Sequence, residues 1–307
     1  MSEKKKQSII YHYCSLEAFY SIITKKSLWL FSLSSSYDLK ELTEAEKIID
    51  KILTEEKYKS IEKPEVSKQD EFYSLSCTSR RDSASHFNKY ADNDKGVCFG
   101  IDINAFKKYF KNTSLMDPYF GYLFFPEVIY DENQKEKEIK RYLEERLSYI
   151  EQPDKVDAKE FYEILIAAFP KQYKDALKKL TYTNTLSRFK PKLKIENYKD
   201  ESETRILFCR SQFQLYKKFF KANPDLYNAH VKPAEELNLN EEPEFKVRSG
   251  VMRKYIELGL EAIWDKQPIK EVILGPNCKA NIDEFNEFLE LNKVLCKAIP
   301  SYMEIRK

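Results

Sequence analysis

Nine residues, Asp200-Glu201-Ser202-Glu203-Thr204-Arg205-Ile206-Leu207-Phe208, do most to restrict what this chain can become. Two acids two positions apart lead straight into an apolar, β-prone run, and side chains alternate faces along a strand. A strand through this stretch sets Glu201, Glu203 and Arg205 on one face and Ser202, Thr204 and Ile206 on the other. Close carboxylates raise the pKa of at least one of them and a neighbouring guanidinium lowers it again, which is how a site tunes one acid against another. The plain alternative is an edge strand with a solvated Glu/Arg cross-pair.

The segments around it also read as short strands broken by helices. Ser8 to Cys14 is β-branched and aromatic, Ser15 is placed to cap a helix carrying Leu16, Phe19, Tyr20 and Ile23, and Leu28 to Phe31 is a second strand. Ser34 to Asp38 reads as a polar turn, and Leu39 to Ile61 as an exposed amphipathic helix. Glu71 to Thr78 is a strand with Ser74, Ser76 and Thr78 on one face. Asp82 is placed to cap a helix running to Tyr90, ended by Asp92-Asn93-Asp94. Gly96 to Asp102 reads as a strand, Ala105 to Phe110 as a helix, and Gly121 to Tyr130 as strongly β-prone.

From Asp131 to about Lys190 the texture changes to long charged helices with breaks at Pro170 and Pro191. Beyond the Glu203 strand, Asn223 to Glu244 reads as a proline-containing loop with His230 at the surface. Val251 to Leu258, Glu271 to Leu274 and Val294 to Ile299 read as strands, and Ile282 to Leu291 as a helix. This irregular mixture predicts an α+β fold rather than a doubly wound sheet. The expected organisation is residues 8–130 as the first half of the core, 131–195 as a helical insertion and 196–307 as the second half.

Composition excludes several function classes. Only 6 of 307 residues are glycine, and neither a Walker pattern nor G-x-G-x-x-G occurs. With 52 basic against 50 acidic residues, the overall charge calls for neither nucleic acid nor an anionic membrane. Three scattered histidines and no C-x-x-C pair offer no metal-ligand spacing, so no metal is expected. The six cysteines read as reduced core residues. Met1 to Gln7 is lysine-rich without a following apolar h-region, and no 18-residue apolar run occurs, so a cytoplasmic protein off the membrane is expected. The basic runs Lys4 to Lys6, Lys178-Lys179 and Arg188 to Lys194, with aromatics nearby, keep a nucleic-acid partner as an alternative.

Taken in order, several segments resemble a bacterial family catalogued as a domain of unknown function. They are Tyr11-His12-Tyr13-Cys14-Ser15, Leu28 to Ser32, Tyr37 to Glu41, Leu75 to Thr78, His86 to Ala91, Lys95 to Phe99, the E-x-E-x-R of Glu201 to Arg205, and Ile273-Leu274-Gly275-Pro276. Ser83-Ala84-Ser85 stands where members usually carry Met-Trp. More distantly the layout is similar to the ADP-ribosyltransferase superfamily, with His or Arg on a first strand, a hydroxyl or aromatic group on a middle strand and a late E-x-E. That resemblance implies a split mixed or antiparallel sheet with a helical insertion, and NAD as substrate.

On the same resemblance Glu203 is catalytic; with the Glu201 to Arg205 strand in the catalytic sheet, Glu201 is expected to orient the acceptor and Arg205 to hold one carboxylate ionised. His12, with its neighbours Tyr13 and Ser15, contacts the nicotinamide ribose, Ser76 or Thr78 braces the site, and Tyr90 stacks on nicotinamide. Cleaving the nicotinamide N-glycosidic bond builds positive charge on the ribose, which a fixed carboxylate stabilises. The acceptor macromolecule, protein or nucleic acid, stays open, as does use as a toxin or anti-phage effector. The alternative is a non-catalytic module that binds a nucleotide or holds a protein partner on its helical insertion.

Overall fold

The structure is a computed structural model, and it describes residues 8–35, 39–63, 71–110, 122–151, 173–239, 242–248 and 250–303. Its contacts divide the chain into two units: Met1–Ser35, Glu71–Glu127 and Asp200–Lys307 form one, Ser36–Asp70 and Val128–Lys199 the other. The helical unit thus takes in residues 36–70 as well as the expected insertion. The class is α+β.

Among its described residues the first unit carries ten strands: β1 Ile9–Cys14, β2 Ser27–Ser32, β3 Phe72–Thr78, β4 Val97–Asp102, β5 Leu123–Phe124, β6 Glu203–Cys209, β7 Glu244–Arg248, β8 Val251–Gly259, β9 Ile269–Leu274 and β10 Ala298–Pro300. They form one mixed sheet ordered β10-β9-β4-β1-β3-β2-β8-β7, with β6 pairing β3 and β5 off that path. Every pairing is antiparallel except β9 with β10. One edge of β3 is shared: Thr78 pairs with Tyr11 of β1, and Ser74 and Tyr73 pair with Phe31 and Ser32 of β2. The sheet therefore forks at β3, and β6 runs along its other edge from Phe72↔Cys209 to Thr78↔Glu203.

Both faces are covered, which explains strands with apolar residues on both sides. On one face Tyr11, Tyr13, Cys98 and Ile273 pack with Phe87 and Ala91 from the helix Ala84–Tyr90 and its cap. On the other, Phe99 meets Phe19 of the helix Leu16–Lys25 at 5.3 Å between centroids, and Phe19 stacks on Phe285 of the helix Ile282–Leu291 at 5.6 Å. Ser15 caps Leu16–Lys25 as its sequence suggests, accepting from the Ala18 amide at 3.2 Å. Asp92, Asn93 and Asp94 all adopt left-handed φ, 50°, 52° and 71°, in the turn before β4. Gly96 follows because a Cβ there would lie 2.1 Å from the Cys14 carbonyl oxygen.

Several expectations change. All seven residues of β6 are buried between β3 and β5, so Glu203 and Arg205 are no solvated edge pair. The segment before Tyr130 makes only a two-residue strand and the isolated bridges Glu127↔Thr204 and Ile129↔Leu193. Pro126, which has no N–H to give a ladder, interrupts it, though its carbonyl accepts from the Arg205 amide at 2.9 Å. Within Asn223 to Glu244 the expected loop is helical over much of its length: Pro224 and Pro233 sit at the starts of the helices Pro224–His230 and Lys232–Glu235, where proline is well tolerated, and β7 begins at Glu244. His230 is half-buried, its ring 5.3 Å from that of Phe220. Asp82 caps nothing; Ser83 is the N-cap residue, and Asp82 accepts instead from the Ser301 hydroxyl (2.7 Å) and the Tyr302 amide (3.0 Å). The final strand shrinks to Ala298–Pro300.

The second unit packs the helices Leu39–Ile52, Glu132–Glu151 and Tyr173–Phe189 around Ile49, Ile139, Leu143 and Tyr182. Its Lys135 is wholly buried and paired with Glu132 (2.5 Å) and Glu44 (3.2 Å), as a buried ammonium requires. The break expected at Pro170, the turn beyond Ser35 and the basic run Lys4 to Lys6 lie outside the described residues. No disulfide joins the six cysteines, and Cys14, Cys77, Cys98 and Cys209 are buried. Among the described residues no helix is long and apolar enough to cross a membrane.

Candidate functional site

The segments singled out in the sequence meet at the fork. Antiparallel partners share a face, so Thr78 and Glu203 lie side by side, as do Ser76 and Arg205. Arg205 grips Glu203 at two points, Nε to Oε1 at 2.8 Å and a terminal nitrogen to Oε2 at 3.1 Å. This i, i+2 fork-on-fork pair is almost dry, with the two side chains 4% and 5% exposed. Ser76 is the exposed residue of an otherwise buried β3.

Glu201 does not join them on the strand. β6 begins at Glu203, and Ser202, at φ 45°, sits in the left-handed region, which breaks the expected alternation. Glu201 ends a 3-10 helix, Glu196–Glu201. Its carboxylate is held by the Lys89 ammonium at 2.5 Å and accepts from the Tyr90 hydroxyl at 2.6 Å. The two acids are therefore separated by partner: Arg205 for Glu203, and Lys89 with Tyr90 for Glu201.

The left-handed turn is secured from three sides. Thr78 Oγ1 reaches the Glu201 carbonyl at 2.8 Å and the Ser202 carbonyl at 3.2 Å. The Ser79 amide donates to the Ser202 carbonyl (3.2 Å), and Arg80 Nε donates to the Ser202 hydroxyl (3.2 Å). His86 Nε2 lies 3.1 Å from the Glu201 carbonyl. A carbonyl only accepts, so Nε2 carries the hydrogen, and in the neutral ring Nδ1 accepts from the Ser83 hydroxyl at 2.9 Å. Burial lowers the His86 pKa; the Glu201 carbonyl opposes this and Arg80 adds to it. Burial, and after it the Glu201 carboxylate, pushes the Tyr90 phenol up to about 12. Burial pulls the Lys89 ammonium down, but Glu201 and Tyr90 together outweigh it and leave its pKa raised.

His12 stands at the fork in an unexpected way. Tyr11 shares a face with Thr78, so alternation aims His12 to the opposite face from Glu203, with Phe99 edge-on at 5.5 Å. Its Nδ1 nevertheless lies 2.8 Å from the Ser76 carbonyl, midway between the Thr78 pairing with β1 and the Ser74 pairing with β2. The imidazole thus serves a strand carbonyl where the ladder parts. The expected His, Ser/Thr and Glu segments converge, but their side chains do not all share a face.

Tyr13 and Ser15 are used by the fold itself. The buried Tyr13 hydroxyl donates to the Arg80 carbonyl (3.0 Å) and accepts from the Ser83 amide (3.1 Å), and the Ser15 hydroxyl caps its helix. Sequence reasoning missed His86, Lys89 and Arg80 as members of the cluster. One signal was present: His86 and Tyr90 are i, i+4 on a helix and so neighbours on its surface, with ring centroids 5.8 Å apart. Among the basic clusters, Arg188 lies over the Tyr142 ring, Lys192 over Phe189 and Lys194 over Tyr198, at 5.1, 5.5 and 4.8 Å, so these rings already stack against the protein's own cations.

Residues 87–206 match a family model described as "Protein of unknown function (DUF2971)", a span from the helix bearing Tyr90 to the middle of β6. No curated protein and no solved structure matched the chain.

Proposed function

We propose that the chain cleaves the nicotinamide N-glycosidic bond of NAD and passes ADP-ribose to a macromolecular acceptor or to water, in the manner of the ADP-ribosyltransferase superfamily. One observation carries the reading: Glu203, on the strand beside the sheet's fork, presents a carboxylate excluded from water and clamped at two points by Arg205. The split of β1 and β2 along β3 supports it, being the sheet form that the resemblance implies.

In this reaction the bond from ribose C1′ to nitrogen breaks with its electron pair leaving on nicotinamide. Water or an acceptor group then bonds to C1′ and loses a proton. Glu203 stabilises the positive charge developing on the ribose, and does so strongly because its surroundings are dry. Glu201, two residues before Glu203 and hydrogen-bonded to Tyr90, orients the acceptor. Tyr90, 39% exposed, offers a ring to nicotinamide. Ser76 braces the same face, and His12, aimed to the opposite face, acts on the site through the Ser76 carbonyl that it holds. A protein that consumes NAD in this way would suit a toxin or anti-phage role.

The test is release of free nicotinamide from NAD by the purified chain, with NAD binding measured in parallel by calorimetry. Glu203→Gln should slow release about a hundredfold while NAD still binds, the loss expected for one preorganised transition-state contact. Glu201→Gln should spare hydrolysis and reduce transfer. NAD binding without turnover in the unaltered chain would replace the enzyme with a nucleotide-sensing module, and no binding would remove both.

A further inference from the structure

We infer that β7 is an association edge at which a second copy of this chain adds antiparallel, extending the sheet across a two-fold axis. Among the described residues β8 is the strand that pairs with β7, whose other edge has no strand neighbour. The β7–β8 hairpin closes at Arg248↔Val251, so alternation turns the backbone N–H and C=O of Phe245 and Val247 away from β8, towards the open side. Open edges in soluble proteins are usually blunted by short length, charge or proline because they template further pairing. Here the hairpin instead exposes three apolar side chains on one face: Phe245 at 64%, Val247 at 63% and Met252 at 65%.

The order of charges along the strand selects the occupant. The segment runs Glu242, Pro243, Glu244, Phe245, Lys246, Val247, Arg248, acidic at its start and basic at its end. A parallel copy would oppose like charges. An antiparallel copy centred on Phe245 sets Glu244 against Lys246 of the second copy, and symmetry repeats the pair. Both groups are already ordered: Glu244 accepts from the Tyr255 hydroxyl at 2.6 Å, and the Lys246 ammonium lies 3.9 Å from the Trp29 ring centroid. A five-residue edge is small for a permanent interface, so the association is reversible and concentration-dependent.

The experiment is sedimentation velocity of the full chain over a concentration series. The unaltered protein should move from monomer to dimer mass as concentration rises. Val247→Pro should remain monomeric throughout, because it removes an outward N–H that β8 does not use, and should keep its circular dichroism and melting temperature. Glu244→Lys and Lys246→Glu should each lose the dimer alone and regain it when mixed in equal amounts. Should Val247→Pro fail to fold, that charge-exchange pair decides. An unaltered chain that stays monomeric overturns the inference, as does a dimer that survives Val247→Pro or a mixture that does not recover it.

Discussion

Arg205→Met, Glu203→Gln and the double substitution form a cycle that tests whether the pair at the start of β6 acts as one buried unit. Arg205 and Glu203 are 3% and 5% exposed, and their two hydrogen bonds are of ordinary length. Removing the guanidinium leaves a carboxylate without its bidentate partner in a place water does not reach, which costs about 3–5 kcal/mol, against about 0–1 kcal/mol for a surface pair. Removing the carboxylate does the same to the guanidinium. Replacing both removes the two charges together, so the double variant should be no worse than the poorer single one. The coupling energy should then reach roughly 2–3 kcal/mol, the upper part of the range for residues in contact. The assay is urea unfolding followed by tryptophan fluorescence, because Trp29 and Trp264 both belong to the unit that carries the sheet. Additive losses, with coupling below about 0.5 kcal/mol, would refute the reasoning, as would an Arg205→Met cost under about 1 kcal/mol.

Two further outcomes follow from the same region. Because the folded His86 has a lowered pKa, below about pH 6.5 the unfolded chain takes up a proton that the folded one resists, so stability falls as pH drops from there towards the folded value. His86→Gln should flatten that decline when urea midpoints are compared between pH 7 and pH 5, and an unchanged slope would show that the ring is not held neutral. Gly96→Ala should cost about 3 kcal/mol or more, since its Cβ would meet backbone oxygens of Cys14 at 2.1 Å and Ala91 at 2.9 Å. Gly250→Ala, at φ 74° with nothing within 4 Å, should cost only about 1–2 kcal/mol, and equal midpoints for the two variants would contradict the packing argument.

Much of the element pattern was legible because it rests on local chemistry. Alternation and β-branched content marked β1, β3, β4 and β6, the Ser15 cap and apolar spacing marked Leu16–Lys25, and Ile282–Leu291 matches its apolar period. Proline misled in both directions. Pro224 and Pro233 start helices that read as loop, and Pro126 stops a strand that read as continuous, because proline's effect depends on whether its missing N–H was needed.

The residue types of the site were determined by the sequence alone: a histidine on the first strand, hydroxyls at alternate positions of β3, and Glu-x-Glu-x-Arg late in the chain. Only the tertiary structure decided who meets whom. Burial of β6 on both faces turned Glu203 and Arg205 from a solvated pair into a dry clamp, since β5 and the residues to Glu127 line the edge that would otherwise face water. The left-handed turn at Ser202 took Glu201 off the strand and gave it to Lys89 and Tyr90, held there by Thr78 and by His86 from a helix more than 100 residues earlier. No local propensity encodes such contacts, because the hydrogen bonds that stabilise a left-handed serine come from segments that only the folded sheet brings within reach.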